Sequence, residues 1–370
     1  MPVDDALTPL YARARQVLPA GTEWFDAHTH IGQNDPDGMT GTLDALIAGL
    51  DEAGHERALV FAMHEPGGYA AANDIILEAA GGSGGRLTAL ARVDPGAHGA
   101  VREARRALAA GARGIKLHPR SDAFALPHPV VDELVALVAE VRGPVLFHAG
   151  RGIPHLGEAV TDLARRHPDA RLILAHAGIS DLGWIAPAAA ELPNLFFDTA
   201  WWQVWDLLAL FCTVAPGQIL YASDMPYGSG VLAGLIFLRV AQAAGLAPEA
   251  LATIAGGQLG RVVGGEDPVD LGPAPGPPQD RGHIGHERAV AYLTAACQQT
   301  FGGHDPTEAL ALARLACRTP GEDPILARVD ELVARVQELR AGKAVGGERW
   351  PAVEPLVAAQ LVAGTPSVAV

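Results

Sequence analysis

The chain has 370 residues, 49% of them apolar, and carries a formal net charge of −15. This composition is typical of a globular protein with a substantial core, and it excludes an intrinsically disordered chain. Because the charge is acidic and Lys and Arg form no cluster beyond short pairs, nucleic acid and anionic membranes are not expected as partners.

The cysteines and the N-terminal segment bear on the compartment. Cys212, Cys297 and Cys317 are odd in number and show no CxxC pairing, so neither a disulfide framework nor a thiolate zinc site is indicated. The first residues lack the basic and apolar regions of a signal peptide, and no stretch is apolar enough to span a membrane. We therefore expect a cytoplasmic protein.

Eight short apolar or β-branched runs recur along the first part of the chain and predict eight strands. They lie at 24–31, 57–64, 86–93, 112–118, 144–149, 171–177, 194–199 and 218–224. Amphipathic stretches with apolar residues at i, i+3, i+4 and i+7 lie between them and predict helices.

Eight strand-then-helix units within residues 1–264 predict a closed (β/α)8 barrel, the TIM-barrel fold. An open doubly wound sheet is the alternative. That fold is expected to place a Gly-rich phosphate loop after the first strand, but the sequence HTHIGQNDPDG found there lacks the GxGxxG spacing. The barrel is therefore favoured.

The chain beyond the barrel predicts an appended helical region. Residues 265–281 are rich in Pro and Gly without apolar periodicity, which indicates a linker. Amphipathic patterns then predict helices at 286–301, 306–317 and 324–339, with a fourth at 351–362. This C-terminal extension, residues 282–370, carries no motif, and we expect it to pack on the barrel or on a second subunit.

Metal-ligating residue types lie at the predicted C-terminal ends of several strands, where a barrel places its reactive groups. Strand 1 ends with His28 and His30, whose i, i+2 spacing directs both imidazoles to one face. His148, His176 and Asp224 end strands 5, 6 and 8. Singly each could be a core or capping residue, but together they supply the nitrogen and oxygen ligands of a zinc-like site.

The motifs at these strand ends resemble those of the amidohydrolase superfamily, in particular its amidohydrolase-related branch, family 2, which also holds metal-dependent decarboxylases. The resemblance covers residues 24 to about 264. It rests on FDAHTHIG at 25–32, GIKLHPR at 114–120, VLFHAG at 145–150, LAHAG at 174–178 and YASDMP at 221–226, which occur in family order.

The resemblance implies roles for the residues at the strand ends. His28 and His30 are implied as ligands of a first metal, His148 as a further ligand, and Asp224 as a ligand that also accepts a proton. His176 would either bind a second ion or stay free and polarise the substrate. Together these roles imply hydrolysis by a metal-activated water.

Lys116 leaves two interpretations open. Only Lys116 and Lys343 are lysines among the 27 basic residues, so a lysine at the end of strand 4 suggests a chemical reason. In two-metal relatives a lysine there is carboxylated by carbon dioxide and bridges the ions, which a guanidinium cannot do. Alternatively, Lys116 is an unmodified cation that pairs with Asp224 or binds a substrate carboxylate.

Several further side chains near the same rim are candidates for supporting roles. Arg151 is placed to bind an anionic substrate, with a loop salt bridge as the alternative. Trp201 and Trp202 follow strand 7 and could wall an apolar pocket. His118 could also line the site. Candidates for orienting the ligating imidazoles are His64, Asp198 and Asp26.

The function expected from these residues is a metal-dependent hydrolase that cleaves a C–N or C–O bond of a small amide, ester or lactone. A non-oxidative decarboxylase of a small, aromatic carboxylic acid would use the same ligands. A non-catalytic barrel that serves as a binding or scaffolding module is the third hypothesis. The expected cofactor is one or two divalent ions, with zinc as the default and manganese or iron as alternatives; the expected partners are a small-molecule substrate and, in a homo-oligomer, a second subunit.

Overall fold

The computed structural model describes residues 3–36, 38–150, 152–278, 282–318, 323–341 and 352–370. Within these ranges eight parallel strands pair in chain order. The strands are β1 (Phe25–Ile31), β2 (Arg57–Ala62), β3 (Leu87–Arg92), β4 (Gly114–Leu117), β5 (Pro144–Phe147), β6 (Arg171–Leu174), β7 (Leu195–Asp198) and β8 (Ile219–Leu220). All eight predicted strands, and with them the (β/α)8 barrel, are confirmed.

Backbone hydrogen bonds between the first and last strands close the barrel. The segment that follows β8 continues alongside β1, where Ala27 N donates to the carbonyl of Tyr221 and Asp224 N to that of His28, both at 2.9 Å. Beyond this point the chain turns sharply, since Asp224 has a left-handed φ of +62°. The extended path therefore reaches Asp224, as predicted, although only Ile219–Leu220 form a regular ladder.

Helices surround the strands. They are α1 (Leu7–Arg15), α2 (Leu43–Ala53), α3 (Ala70–Gly82), α4 (Ala100–Ala109), α5 (Pro129–Ala139), α6 (Leu156–Arg166), α7 (Leu182–Ala189), α8 (Val204–Thr213), α9 (Gly230–Ala243), α10 (Pro248–Ala252), α11 (Gln258–Gly264), α12 (Ile284–Phe301), α13 (Thr307–Ala316), α14 (Pro324–Ala341) and α15 (Val353–Gly364). Helix α2 illustrates how sequence sets their limits: the Thr42 side chain accepts from Ala45 N at its start, and Gly54 ends it in a left-handed conformation.

The lumen of the barrel is packed with apolar side chains below its polar rim. Phe61, Leu90 and Phe196 belong to this buried cluster, and Leu259 and Val262 of α11 close it from the N-terminal side of the strands. Such a filled lumen leaves open only the C-terminal end of the barrel, which is where the candidate ligands lie.

The four helices predicted in the C-terminal extension are present. Helices α12 to α15 pack on one another, and α15 also packs on α1, α8 and α9 of the barrel. The predicted domain limits at 264 and 281 stay predictions, and residues 279–281 lie outside the described ranges.

Of the helices in the described ranges, none has both the length and the apolar character that a membrane span requires.

Candidate active site

The predicted ligands of strands 1 and 8 meet at the C-terminal rim of the barrel. His30 Nε2 lies 3.1 Å from Asp224 Oδ1, and His28 Nε2 lies 3.3 Å from the same oxygen. His28 and His30 are buried, whereas Asp224 is partly open to the cavity above the rim. Two imidazoles and one carboxylate are thus brought together from residues nearly two hundred positions apart.

Strands 5 and 6 bring the next two imidazoles to the same place. His176 Nε2 lies 3.0 Å from His148 Nδ1. On its other side, His176 Nδ1 donates to the carbonyl of Ala200 at 2.6 Å. Because Nδ1 carries the proton in this arrangement, the lone pair of His176 lies on Nε2 and faces the cavity.

Asp198, on β7, orients two of these imidazoles. Its Oδ2 lies 2.8 Å from His28 Nδ1, and its Oδ1 accepts from His176 N at 2.8 Å and from Ala200 N at 3.0 Å. The first contact places a proton on His28 Nδ1, which leaves the Nε2 lone pair facing the rim. Carboxylates that hold a ligating imidazole in this way fix both its tautomer and its angle.

Lys116 lies within the same cluster, fully buried, with Nζ 3.3 Å from His28 Nε2 and 4.7 Å from the centre of the Phe61 ring. Burial lowers the pKa of its amine, while Asp198 and Asp224 act in the opposite direction. A lysine with a lowered pKa gives up its proton more readily than a solvated lysine does. The neutral amine that results is the form that reacts with carbon dioxide.

The donor set fits a divalent metal ion. Ligand atoms of His28, His176 and Asp224 all lie within 4.8 Å of one another. Burial, together with the neighbouring cations, lowers the pKa of His28, His30 and His148, so these imidazoles are neutral and keep a lone pair for coordination. Nitrogen and carboxylate ligands in this number suit zinc and also manganese or iron.

Three of the other predicted side chains take up different positions from those of ligands. His118 stacks on His148, with ring centres 3.8 Å apart, and its Nδ1 accepts from Ser121 N. His64 lies beside Asp122, at 3.6 Å, and not beside a ligating imidazole. Asp26 is buried and its Oδ1 accepts from two backbone N–H groups, which ties β1 to the segment after β8.

The cavity above the rim has a polar part and an apolar part. The polar part, about 480 Å³ in volume, is lined by His30, His64, Arg92 and Arg120. The apolar part, about 340 Å³, is lined by residues that include both predicted tryptophans, Trp201 and Trp202. The predicted Arg151 lies outside the described residues.

Sequence reasoning did not find several residues that line this cavity. The exposed Arg120 borders both parts, and Tyr227 donates to Asp35 Oδ2 at 2.5 Å across the polar part. Arg120 belongs to the GIKLHPR motif, a signal that was available but unused. Phe301 and Val357 of the C-terminal extension also line the apolar part, and no sequence signal distinguishes them from core residues.

A second group of metal-ligating residue types, His283, His286 and Asp323, lies in the extension. The Nδ1 of His283 accepts from Gly285 N, and the Nδ1 of His286 accepts from His283 N. A ring whose Nδ1 accepts carries a proton on Nε2. The Nε2 atom lies 2.8 Å from Asp323 Oδ2 in His283 and 3.0 Å from it in His286. His283 Nε2 donates to this carboxylate, whereas His286 Nε2 has no hydrogen-bond partner among the described residues. Since both Nδ1 atoms already accept backbone N–H groups, neither ring offers a free lone pair to a metal, and the group is a helix-capping network.

Comparisons with known proteins agree with this geometry. A family model described as Amidohydrolase matches residues 25–257. A search of curated proteins gives no match.

Solved structures share the fold at low sequence identity. The 2,6-dihydroxybenzoate decarboxylase from Rhizobium is 14% identical, with a TM-score of 0.51 over 65% of this chain and 98% of that one. The 5-carboxyvanillate decarboxylase from Sphingomonas paucimobilis is 13% identical, with a TM-score of 0.51 over 66% of this chain and 99% of that one. The 4-oxalomesaconate hydratase from Rhodopseudomonas palustris is 17% identical, with a TM-score of 0.51 over 65% of this chain and 96% of that one.

Proposed function

Since the chain belongs to the amidohydrolase family, we propose that it is a metal-dependent hydrolase that cleaves a C–N or C–O bond of a small amide, ester or lactone. His28, His30, His148, His176 and Asp224 would hold the metal. Zinc is the proposed ion, with manganese or iron as the alternatives.

The observation that carries the proposal is the place of Lys116. Its amine is fully buried 3.3 Å from His28 Nε2, among the other candidate ligands. The ammonium group first gives up one proton, and reaction of the resulting neutral amine with carbon dioxide forms a carbamate and releases a second proton. A buried cation is thereby replaced by an anion with two ligand oxygens. Such a ligand lets the four imidazoles and Asp224 hold two ions, the arrangement that favours hydrolysis.

Within this site Asp224 would move the proton. A bound divalent ion supplies Lewis acidity that activates water and polarises the substrate. Burial raises the pKa of Asp224 towards neutrality, so its carboxylate can take a proton from the attacking water and pass it to the leaving group. The Nε2 of His176, which faces the cavity, would polarise the substrate if it is not itself a ligand.

Decarboxylation of a small aromatic acid is the second candidate. The aromatic side chains of Trp201, Trp202 and Phe301 line the cavity beside Asp224. Two of the structures with the same fold are named as decarboxylases of aryl acids. In this reaction a single ion would hold the substrate carboxylate, and Asp224 or His176 would handle the proton.

Metal analysis of purified protein distinguishes hydrolysis at a two-ion site from decarboxylation at a single ion. We expect about two ions per chain in the wild type, and one or none in the Lys116→Met variant, which keeps the length of the side chain without its amine. Wild-type protein loaded in carbon-dioxide-free buffer is the matched control, because it differs only in the carbamate. Loading with isotope-labelled bicarbonate should then give a carbamate signal that Lys116→Met lacks.

A single ion that is insensitive to Lys116→Met but lost in His28→Ala would contradict the two-ion site and direct screening to decarboxylation. Protein that binds neither zinc, manganese nor iron at micromolar concentration would overturn the metal-dependent enzyme altogether and favour a non-catalytic barrel.

A further inference from the structure

The apolar part of the cavity is built from two portions of the chain. The barrel contributes Trp201 and Trp202 after β7 and Leu232 and Ile236 of α9, and the extension contributes Phe301 at the end of α12 with Val353 and Val357 of α15. We call this set of seven residues the apolar wall. The extension lies beyond residue 257, where the family match ends, so the family model does not cover this side of the cavity.

Helix α15 is an internal helix and not a surface appendage. Every one of its residues except Glu354 is buried. It packs on α8 and α9 of the barrel as well as on α12 and α14 of the extension. A helix that is apolar all round and covered on all sides is part of the core, so its position relative to the barrel is fixed by packing.

Arg239 of α9 fixes the far end of α15. The side chain is 1% exposed, and its guanidinium donates to Thr365 Oγ1 and to the carbonyls of Thr365, Val368 and Ala369 at 2.9 to 3.1 Å. Burial lowers its pKa to about 10, so the group stays cationic at neutral pH. These bonds hold the end of α15 against the helix that contributes Leu232 and Ile236.

An aromatic pair joins the two portions at the cavity. The rings of Trp202 and Phe301 lie 4.6 Å apart between centres at an angle of 43°. Phe301 is nonetheless 41% exposed, so much of its ring faces open space. An exposed aromatic ring beside a concave apolar surface is the arrangement that binds an apolar ligand.

We infer that α12 and α15 complete the substrate-binding site and that the apolar wall selects a substrate with an apolar group of aryl size beside the reacting bond. A cavity of about 150 Å³ already holds benzene, and this one is about 340 Å³. Its charged lining residues, Arg120 and Asp224, lie on the side of the polar part, so the substrate's polar end faces the candidate ligands. The assignment of the reacting bond rests on the proposed function, but the selectivity does not.

The test measures binding of three neutral probes, acetamide, benzamide and 1-naphthamide, by calorimetry with the full chain. We expect affinity to rise by roughly tenfold or more from acetamide to the aryl amides, which is the gain from burying one ring. Phe301→Ser should remove most of this gain by removing one face of the wall, and Val357→Phe should remove it by filling the cavity. The readout in each variant is the ratio of aryl-amide affinity to acetamide affinity.

Leu315→Ser is the matched control. Leu315 lies on α13 of the same extension, is 51% exposed, and is absent from the cavity lining, so the aryl gain should stay at the wild-type value. Thermal unfolding of each variant checks that the fold is kept, and Phe301→Ser changes a side chain that is already 41% exposed.

The outcomes separate this inference from the proposed function. An aryl gain that both cavity variants retain, or a wild type without any aryl gain, overturns the role of α12 and α15 even if the protein holds metal and hydrolyses amides. An aryl gain that is lost in both variants but kept in Leu315→Ser supports the inference even if no metal is found.

Discussion

The polar rim of the barrel and the apolar wall face each other across one cavity but are held by different forces. Around the rim, hydrogen bonds fix individual atoms: Asp198 alone contacts His28, His176 and Ala200. In the wall, packing of α15 fixes whole surfaces, with the Arg239 bonds as its main polar anchor. Under the proposed function, reactivity would depend on precise tautomers and angles, whereas selectivity would depend on shape, so we expect that the two can be changed separately.

The largest effect is expected at the rim. Asp224→Asn should lower hydrolytic turnover by roughly 100- to 10,000-fold, because an amide cannot accept the proton from water. The measurement is kcat on a substrate found by screening, with metal content determined in parallel. Asp74→Asn, at a carboxylate 62% exposed on the outer surface, is the control and should stay at the wild-type rate. Retention of full turnover in Asp224→Asn would remove Asp224 from the reaction.

The next largest effect is expected at Arg239, which holds the end of α15 behind the apolar wall. Arg239→Met should lower the free energy of unfolding by about 3 kcal/mol, since buried carbonyls at the end of α15 lose their donors. Arg335→Met is the control: Arg335 is 40% exposed and pairs with Asp4, so its loss should cost under about 1 kcal/mol. Urea titration measures both. Equal losses in the two variants would mean that the Arg239 bonds do not fix α15.

Asp198→Asn tests whether metal binding at the rim can be changed without changing the apolar wall. We expect the Kd for metal to rise roughly 10- to 100-fold, because the amide no longer fixes the tautomer of His28. Competition with a chelator measures this Kd. In the same variant the preference for aryl over simple amides should stay at the wild-type value, since the apolar wall is untouched. A lost aryl preference would show that the two regions are not separable.

The smallest effect is expected at Gln360 in α15. Its Nε2 donates to Thr294 Oγ1 at 2.8 Å, whereas its buried Oε1 has no hydrogen-bond partner among the described residues. Gln360→Leu gives up one hydrogen bond but also removes an unpaired acceptor, so stability should change by less than about 1 kcal/mol. A loss above about 2 kcal/mol in thermal or urea unfolding would contradict this account.

The same contrast explains what the sequence predicts. The eight strands were predictable because apolar runs alternate with amphipathic stretches. The rim was predictable because imidazoles and carboxylates are conspicuous at the ends of apolar strands, as at His28 and Asp224. The wall was not, because Val353 and Val357 look like any other core residues of a buried helix. Which apolar side chains border a cavity is decided by tertiary packing, which local periodicity does not record.

The Arg239 bonds also bear on the order in which the molecule is assembled during synthesis. The ribosome extends the chain from its N-terminus, so all eight strands and the ligands at their ends emerge before α15 does. Until that helix arrives, α8 and α9 present the apolar surfaces that it later covers, and Arg239 has none of the carbonyls to which it donates in the folded protein. A nascent chain therefore carries the candidate metal ligands before it has the apolar wall, and it exposes apolar surface until α15 docks.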